Sequence, residues 1–477
     1  SNLYGNVGRM YATTESGKSV STMGALLPDI GQVSELTVPL YSDIQADFKI
    51  KNDTGASATI TVVQGSLPAG MSVQGTQMIG IISDKTAIGQ QNVEFRLEQG
   101  GLTSYLNLTI DVVDTPLLGA TFPGAFTPFL SISAGDMVAC GVSTQSDLFC
   151  WGSAQYGMLA QGSLDKVGLG GPNTGLELQP ISLPGATTNV SVGKKHVCAI
   201  SGANLYCWGH PQYGRLGNGM SSTTQIFGDE PGEVSDSMAP VDLGTSFTPV
   251  SVAVGEHHTC ALSDTGNVRC FGWGFHGRLG TGSTQTHGDT PAEMGDGLTD
   301  IDLGTGFISA GISASDFGSC AWSTAGDVKC WGYGGSGMLG QGDSENIGDA
   351  PSEMGDSLSP IDLGTDMKVE KVSMGYNHVC ALLRTGGAKC WGQNTEGQLG
   401  LGDKTARGMV PGQMGDSLPQ VDLSGQIAID VAAGYKTTCA ALVNGDSVCW
   451  GHGVKNALGN SLSTNIGDQS GEMGSAL

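Results

Sequence analysis

The chain has 477 residues, of which 77 are glycine and only 14% are charged, and its formal net charge is −24 at pH 7. This acidity argues against a nucleic-acid-binding surface, because phosphate contacts need Lys and Arg, and against docking on anionic membranes. No run of 18 apolar residues predicts a membrane span. Glycine that recurs without a Gly-X-Y period indicates many tight turns and favours an all-β array.

The N-terminal part differs in pattern from the rest. Residues 1–35 are rich in Gly, Ser and Thr and contain no apolar core of a signal peptide, so we expect either an arm that docks on a partner or a poorly ordered leader. Residues 36–114 alternate apolar and polar residues in DIQADFKIKN, SATITVVQG, NVEFRLEQ and SYLNLTIDVVD, as sandwich strands do. Their segment LPAGMSVQGTQMIGIIS (67–83) resembles Ig-like, cadherin-like domains, which implies a small β-sandwich without catalytic residues.

From residue 115 onward the sequence repeats with a period of about 60 residues. One copy reads VSMGYNHVCALLRTGGAKCWGQNTEGQLGLGD (372–403), and a segment such as PVDLG (240–244) completes the unit. Each copy is therefore predicted to hold about four short strands. All 12 cysteines fall in pairs within these copies: Cys140 with Cys150, Cys198 with Cys207, Cys260 with Cys270, Cys320 with Cys330, Cys380 with Cys390, and Cys439 with Cys449.

An aromatic residue follows the second cysteine of every copy and precedes a leucine by eight positions. These pairs are Trp151/Leu159, Trp208/Leu216, Phe271/Leu279, Trp331/Leu339, Trp391/Leu399 and Trp450/Leu458. Aromatic residues repeated in this way normally pack between neighbouring sheets, so we favour a core role over ligand binding. The third copy also carries Trp273, displaced by two positions from this register.

Four-stranded units, Gly-rich turns and repetition without helices predict a β-propeller over residues 115–477. Six complete copies favour six blades over seven. The last copy ends where the other copies begin their DLG strand, and ATFPGAF (120–126) is expected to supply that strand and close the ring.

The motifs G-x-x-H-x-C-A-L, C-W-G and G-x-L-G, clearest from Gly255 to Gly280 and from Gly375 to Gly400, resemble the RCC1 (regulator of chromosome condensation) repeat family. The resemblance covers roughly residues 120–477 and implies an RCC1-like propeller. The family's best-known activity is nucleotide exchange on a small GTPase, together with chromatin binding. We do not expect it here, because the chain is acidic and shows no basic arm. Paired cysteines and GD-x-P-x-EMGDSL loops look like those of extracellular and microbial members.

The cysteine spacing follows the length of the hairpin between the cysteines. Five pairs are ten residues apart, which leaves a three-residue loop such as 264–266, typically ending in glycine. Cys198 and Cys207 are nine apart, and the two-residue loop Gly202-Ala203 fits a type II′ turn. The cysteines thus stay opposed at about 4.5–5.5 Å, within disulfide range. We predict six intra-blade disulfides and an oxidising milieu. Zinc is less favoured, because each blade offers two cysteines and at most one nearby histidine.

We expect the histidines near the cysteines and the acidic loops to have structural roles. His196, His258 and His378 each lie two residues before a cysteine, and we favour a structural role over metal binding there. The loops 228–236, 288–296 and 348–356 share Gly-Asp, Pro and Glu, and their carboxylates are expected to cap backbone N–H groups. Calcium binding by Asp289, Glu293 and Asp296 is the alternative. No other cofactor is expected.

No nucleophile–base–acid set, GxSxG, HExxH or phosphate loop is present, so we predict a non-enzymatic extracellular protein. The favoured function is a virion component, such as a phage fibre, tail or capsid-decoration protein. Its N-terminal region would bind other virion or cell-surface proteins, and its propeller loops would bind a glycan or host surface. The alternatives are a secreted or cell-surface bacterial adhesin and a propeller that acts as an enzyme inhibitor or lectin.

Overall fold

The computed structural model describes residues 129–164, 179–454, 457–459 and 463–477, together with residues 66–67 and the strands that precede residue 114. The chain divides into two compact units, one formed mainly by residues 1–121 and the other mainly by residues 122–477. In the described parts of the chain, no helix is both long enough and apolar enough to span a bilayer.

The N-terminal unit is built from β-strands. Its described strands are β1 (Leu3–Asn6), β2 (Arg9–Thr13), β3 (Ser19–Val20), β4 (Met23–Ala25), β5 (Glu35–Pro39), β6 (Asp43–Ile50), β7 (Ala58–Gln64), β8 (Met71–Gln74), β9 (Gln77–Ile81), β10 (Gly89–Gln99) and β11 (Leu102–Val113). They form a three-stranded sheet, β1-β2-β3, and two four-stranded sheets, β5-β11-β10-β7 and β4-β6-β9-β8. The alternating segments at 43–52, 57–65, 92–99 and 104–114 coincide with β6, β7, β10 and β11. The Ig-like interpretation of residues 36–114 stays a prediction.

The second unit contains six antiparallel sheets of three strands each, which we number as blades 1 to 6. They are β12 (Phe129–Ala134), β13 (Val138–Ser143) and β14 (Leu148–Gly152); β15 (Thr187–Val192), β16 (His196–Ser201) and β17 (Asn204–Gly209); β18 (Pro249–Val254), β19 (His258–Ser263) and β20 (Val268–Gly272); β21 (Ser309–Ala314), β22 (Gly318–Ser323) and β23 (Val328–Gly332); β24 (Val369–Met374), β25 (His378–Leu383) and β26 (Ala388–Gly392); β27 (Ala428–Ala433), β28 (Thr437–Leu442) and β29 (Ser447–Gly451). The described residues of this unit thus form an all-β propeller of six blades, as predicted. Residues 120–126, expected to close the ring, lie outside the described residues.

The predicted fourth strand of each copy is the one element that differs. The PVDLG-type segment gives its blade a single backbone hydrogen bond: Val241 N–H donates to Leu205 O at 2.8 Å. The segment then turns at once, because the Asp242 carboxylate accepts the N–H of Gly244 at 2.9 Å. The segment therefore forms no continuous ladder of backbone hydrogen bonds with the third strand of its blade. The segments after blades 3, 4 and 5 repeat the single bond at Ile301, Ile361 and Val421.

Six disulfides join the second and third strands of the six blades, and they pair the cysteines in the way the sequence predicts. The bonds are Cys140 to Cys150, Cys198 to Cys207, Cys260 to Cys270, Cys320 to Cys330, Cys380 to Cys390, and Cys439 to Cys449. In each blade the two cysteines belong to one hairpin, so every bond closes its own blade. The described residues contain no free cysteine.

The paired Cα atoms lie 4.0–4.1 Å apart, which is closer than the 4.5–5.5 Å expected from the sequence. In blade 3 the turn bond from Ser263 N–H to Asn267 O puts Cys260 and Cys270 at a pair without mutual backbone hydrogen bonds, where antiparallel strands approach most closely. Gly266 closes the loop at φ 86°, in the left-handed region that favours glycine.

The hydrophobic core lies between adjacent blades. Each buried cluster combines side chains from two successive copies, as in the cluster that joins blade 4 to blade 5. Trp208, Trp331, Trp391, Trp450 and Phe271 are all 0% exposed. Each of these four indole N–H groups donates to a backbone carbonyl of the preceding copy at 2.9–3.1 Å. The repeated aromatics are thus inter-blade anchors, as predicted.

Hydrogen bonds between the loops that follow successive blades connect neighbouring copies. In the loop after blade 3, Gly295 N–H donates to Asp242 O at 2.9 Å, and the Asp296 carboxylate accepts the N–H of Thr245 at 2.8 Å. Glu293 accepts the N–H groups of Gly288 and Thr290 within its own loop. The equivalent loops at 348–358 and 408–418 repeat these contacts, with Gln413 in place of glutamate. Carboxylates therefore cap backbone N–H groups, as predicted, and the short 3-10 turns of these loops follow at Pro291–Glu293, Gly295–Gly297, Gly355–Ser357, Gly415–Ser417 and Gly474–Ala476.

The three predicted structural histidines bridge blades through the hydroxyl groups of the next copy. His378 Nε2 lies 2.9 Å from Thr438 Oγ1, and that hydroxyl donates to Gln398 O at 2.9 Å. Because the single hydroxyl hydrogen is committed to the carbonyl, Nε2 must carry the proton, and Nδ1 is left buried without a partner. His196 with Thr259 and His258 with Ser319 repeat the contact at 2.8 Å.

Histidine and hydroxyl occur together or not at all at the interfaces that the structure describes. Where blade 1 has Val138 and blade 4 has Gly318 instead of histidine, the next blade has Val197 and Val379 instead of Ser or Thr. A hydroxyl without the imidazole would lose a donor, and an imidazole without the hydroxyl would be left buried and unpaired, which is costly. The contact therefore explains why the residue two positions before the cysteine varies together with the Ser, Thr or Val of the next copy.

We expect a double-substitution cycle at this interface to separate pairing from packing. T438V leaves the His378 Nε2–H without an acceptor and should lower the free energy of unfolding by about 1–3 kcal/mol. H378V/T438V recreates the Val138/Val197 pair of blades 1 and 2 and should recover part of that loss. Urea denaturation of both variants and of H378V measures the coupling; additive losses would contradict the pairing.

We also expect the free energy of unfolding to depend on pH through His378. Burial lowers the pKa of His378 to about 4, whereas the unfolded chain binds a proton near the ordinary value of about 6.5. The folded state therefore loses stability as the pH falls from about 6.5 to about 4, by roughly 3 kcal/mol for this histidine. H378V/T438V should show a shallower fall in urea midpoint between about pH 7 and about pH 5, and a slope equal to that of the wild type would refute the assignment.

Removal of one disulfide should destabilise one blade modestly. C260A/C270A opens a short loop and is expected to lower the free energy of unfolding by about 2–3 kcal/mol, because the cross-link restricts the unfolded chain. Denaturation without reductant gives the difference. Full reduction of both proteins is the control, since the gap should then shrink to the packing difference between thiol and methyl groups.

Candidate functional site: an aromatic arc at one mouth of the central channel

The first strands of the six blades surround a cavity of about 760 Å³, the central channel of the propeller. These strands are β12, β15, β18, β21, β24 and β27, and each is followed by a tight turn. The turn position after Gly135 and its equivalents lies at one mouth of the channel, and it lines the channel in every blade except blade 3. It carries Asp136, Lys194, Glu256, Asp316, Tyr376 and Tyr435.

Aromatic rings form a continuous series beside this mouth, which we call the aromatic arc. Successive ring centroids lie 4.0–5.7 Å apart from blade 2 to blade 6. The arc consists of Tyr213, His257, Trp273, Phe275, His276, Tyr333, Phe317, Tyr376 and Tyr435. Phe275 is 45% exposed and Tyr435 is 57% exposed.

Backbone strain helps to present the arc. Tyr213 and His276 follow the third strands of blades 2 and 3, in the short 3-10 turns Gln212–Gly214 and Phe275–Gly277. Both have positive φ, 66° and 63°, in a region that bulky residues seldom adopt. This conformation lets each ring reach the next blade, where Tyr213 stacks on Trp273 at 4.8 Å and His276 lies 4.9 Å from Tyr333. Tyr156 at the equivalent position of blade 1 has the same conformation, with φ 64°, so the turn is a feature of the repeat.

Two buried arginines contact rings of the arc and the backbone of the next blade. The Arg278 guanidinium lies 4.8 Å from the centre of the Trp273 ring and donates to Asp316 O at 2.6 Å. Arg215 lies 5.7 Å from the Tyr213 ring and donates to Glu256 O at 2.9 Å. These contacts fix the turns of blades 3 and 4 relative to the stacked rings of the preceding blades, so the arc is preorganised.

A charged cluster lies at the channel side of the arc. Lys194 and Lys195 of blade 2 contact the Glu256 carboxylate at 3.1 and 3.0 Å, and Lys194 also lies 3.9 Å from the Asp316 carboxylate. His257 Nε2 lies 3.4 Å from Glu256. Three successive blades therefore meet through ion pairs at the mouth.

The two carboxyl groups of this cluster differ strongly in pKa. Burial raises the pKa of Asp316 to about 7, and the neighbouring Glu256 charge adds to that rise. Burial acts on Glu256 in the same direction, but hydrogen bonds from Lys195 and Lys194 and the nearby His257 outweigh it and lower its pKa to about 2. Burial and the charge of Arg215 lower the pKa of His257 to about 3, so this imidazole is neutral at pH 7.

The sequence-predicted site residues divide between core and mouth. Four of the five repeated tryptophans are buried between blades, Trp151 is only partly buried, and the displaced Trp273 belongs to the arc. Most of the arc was not predicted from sequence. The usable signal was an aromatic residue at a position the repeat does not require, as at Tyr333 and Tyr376. Among the described residues, no group of three His, Cys, Asp or Glu side chains is placed to hold a metal ion.

Comparison with known proteins bears on this architecture. One model of the regulator of chromosome condensation (RCC1) repeat matches residues 250–278 and 369–398, and a second matches residues 203–262, 325–382 and 389–441. The chain carries RCC1 repeats. Their matched ranges lie within blades 2 to 6 and the loops between them.

Curated relatives share these repeats over part of their length. The ultraviolet-B receptor UVR8 of Arabidopsis thaliana is 28% identical over 278 residues, which are 57% of this chain and 54% of UVR8. The human E3 ubiquitin-protein ligase HERC2 is 26% identical over 297 residues, which are 62% of this chain and 6% of HERC2. The chain thus spans about half of one relative and a small part of the other.

Solved structures show the same fold. Human WBSCR16 superposes with a TM-score of 0.52 at 19% identity, over 71% of this chain and 80% of that one. Prp20p of Saccharomyces cerevisiae, whose structure was described together with its binding to Gsp1p and histones, gives a TM-score of 0.52 at 18% identity, over 71% and 75%. RCC1-like propellers are therefore the structural relatives of the second unit.

The raised pKa of Asp316 predicts a stability change with the opposite sign to that of the histidines. The unfolded aspartate ionises near 3.9, but the folded one keeps its proton to about 7. The folded state binds more protons in this window, so its stability falls as the pH rises from about 4 to about 7. D316N cannot ionise and should be more stable than the wild type at about pH 8.

Urea denaturation across that pH range measures the effect on RCC1-propeller stability. D136N, which removes the carboxylate at the equivalent exposed position of blade 1, is the matched control. Parallel profiles for D316N and the wild type would show that Asp316 ionises normally.

Proposed function

We propose that this chain is a non-enzymatic binding protein that works in an oxidising, extracellular setting and engages a protein partner through the aromatic arc. The arc carries the proposal. Apart from Phe317, which packs against the core between blades 4 and 5, its rings do not belong to the described inter-blade clusters, and several remain partly exposed. Aromatic side chains are enriched at protein interfaces and dominate their energetics.

Preorganisation supports a binding role for this face. Stacked rings, buried arginines and ion pairs from three blades fix the arc before any partner arrives. A surface already held in its bound conformation avoids the entropy cost of ordering side chains on association. A propeller of the same fold, Prp20p, binds the proteins Gsp1p and histones, which supports a protein partner here.

The disulfides support the compartment. All 12 cysteines are paired, and thiols persist in reduced form in the cytosol of most cells. We propose that the chain is a virion component, with the N-terminal unit attached to other virion proteins and the propeller displayed towards a host surface. A division into two compact units suits attachment by one and display by the other. A bacterial cell-surface adhesin is the second candidate, favoured by the same observations.

Fractionation tests the setting. Purified phage particles, cell surfaces and cytosol are probed with an antibody to the chain after alkylation of free thiols. We expect the protein on particles with all six disulfides intact, seen as an intact mass that alkylation does not change. Recovery on the cell surface would favour the adhesin, and recovery in cytosol with alkylated cysteines would exclude both.

The binding role of the arc is tested separately. W273A/F275A removes two rings of the stack and should reduce adsorption of the labelled chain to host cells by about tenfold or more, because interface aromatics often contribute 2 kcal/mol or more. V410A, which truncates a 52% exposed side chain in a rim loop, is the matched control. Equal adsorption of W273A/F275A and V410A would exclude the arc as the binding surface.

A further inference from the structure

Trp322 is a partly buried tryptophan outside both the repeated aromatic positions and the aromatic arc, and it packs against the core cluster between blades 4 and 5. Trp322 lies on β22 of blade 4, two residues after Cys320. The equivalent residues of the other five copies are aliphatic: Val142, Ile200, Leu262, Leu382 and Ala441. Blade packing alone is therefore satisfied by a smaller side chain at this position.

The neighbouring strand makes room for the indole. Gly311 on β21 is the direct cross-strand partner of Trp322. A Cβ atom on Gly311 would overlap the six-membered ring of the indole, so no other residue fits there. The equivalent positions in the other blades all bear side chains: Ser131, Asn189, Ser251, Lys371 and Asp430. Glycine and tryptophan thus form a matched pair that occurs in blade 4 alone among the six.

Trp322 borders the central channel. The channel volume of about 760 Å³ falls in the range of pockets that hold small-molecule ligands. The lining also includes the amide of Asn189 and serine hydroxyls on several first strands. Ser191 and Ser313 accept backbone N–H groups of the next blade at 3.0 and 3.1 Å, and their hydroxyl hydrogens can still donate to a ligand.

The channel lining carries few charged residues, and both of its cations are already paired. Its charged lining residues are two aspartates and two lysines: Asp136, Asp316, Lys194 and Lys371. Lys371 is paired with Asp430 at 2.5 Å, and Lys194 with Glu256 at 3.1 Å. Because both lysines already have anionic partners, the channel offers an anionic ligand no free cation, and its hydroxyl and amide groups suit an uncharged polar ligand.

We infer that the channel binds a small neutral saccharide, a monosaccharide or a disaccharide, with Trp322 as its aromatic platform. The apolar C–H face of a sugar ring packs on an indole, while its rim of hydroxyls needs donors and acceptors such as Asn189 and the channel serines. Tyr376 and Tyr435 of the aromatic arc also line the channel, but Trp322 does not belong to the arc, and the inference does not depend on the function proposed for that surface.

The variant W322L/G311S provides a matched test, because it recreates the Ser251/Leu262 pair of blade 3. Saturation-transfer NMR and calorimetry are run with glucose, galactose, mannose, N-acetylglucosamine, maltose and lactose up to about 10 mM. N-Acetylneuraminic acid is the charged comparison. At least one neutral sugar should bind the wild type, and W322L/G311S should bind it about tenfold more weakly or not at all.

Two controls keep the result specific. W273A/F275A should bind the sugar as the wild type does, and W322L/G311S should adsorb to host cells as the wild type does. The proposal is overturned if no neutral sugar binds the wild type by about 10 mM. It is equally overturned if W322L/G311S binds with unchanged affinity, which would make Trp322 a packing residue beside a water-filled channel.

Discussion

The contact on which the propeller depends is the polar and aromatic interface between one blade and the next. A sheet of three strands has two faces to cover, and neighbouring blades supply that cover. The buried Trp391 indole, for example, donates to the carbonyl of Met338 in the preceding copy. The hydroxyl of Thr438 accepts from His378 of the preceding blade. Because each such group is buried, its partner must be present, and the repeat length keeps the partners in register.

This constraint separates the residues that the ring needs from those that it leaves free. Disulfides, anchoring aromatics and loop carboxylates recur because each closes a contact within a blade or to its neighbour. Trp273 and Tyr333 occupy one repeat position, which blades 1 and 5 fill with Ser153 and Gln393, and Trp322 occupies a position that is aliphatic in the other five blades. Non-repeating aromatic residues on a repeating scaffold are therefore the positions at which the structure can specify a ligand. They cluster at one mouth of the channel and in its wall.

Local features were predictable from sequence because turn geometry depends on few residues. The spacing of Cys260 and Cys270 and the glycine at 266 together determine the hairpin and its register. The fourth strand was overestimated, since the alternation in PVDLG gives no sign that Asp242 will turn the chain after one bond. The partner of each histidine lies about 60 residues away. Only alignment of one copy against the next would have shown that His and Ser or Thr vary together.

The residues at the mouth of the channel could not be predicted from sequence for a different reason. The arc is formed by rings from five blades, and its continuity depends on left-handed backbone at Tyr213 and His276, which periodicity does not reveal. The same holds for the opposed pKa shifts of Glu256 and Asp316: burial and the Glu256 charge raise the pKa of Asp316, whereas Lys195 and Lys194 of another blade lower that of Glu256. Deep burial of one carboxyl beside a second, charged one leaves a proton at the mouth near neutral pH. A propeller thus brings residues that are far apart in sequence to equivalent positions around one channel mouth. Which side chains occupy those positions in each blade determines the charge and the aromatic content of that surface.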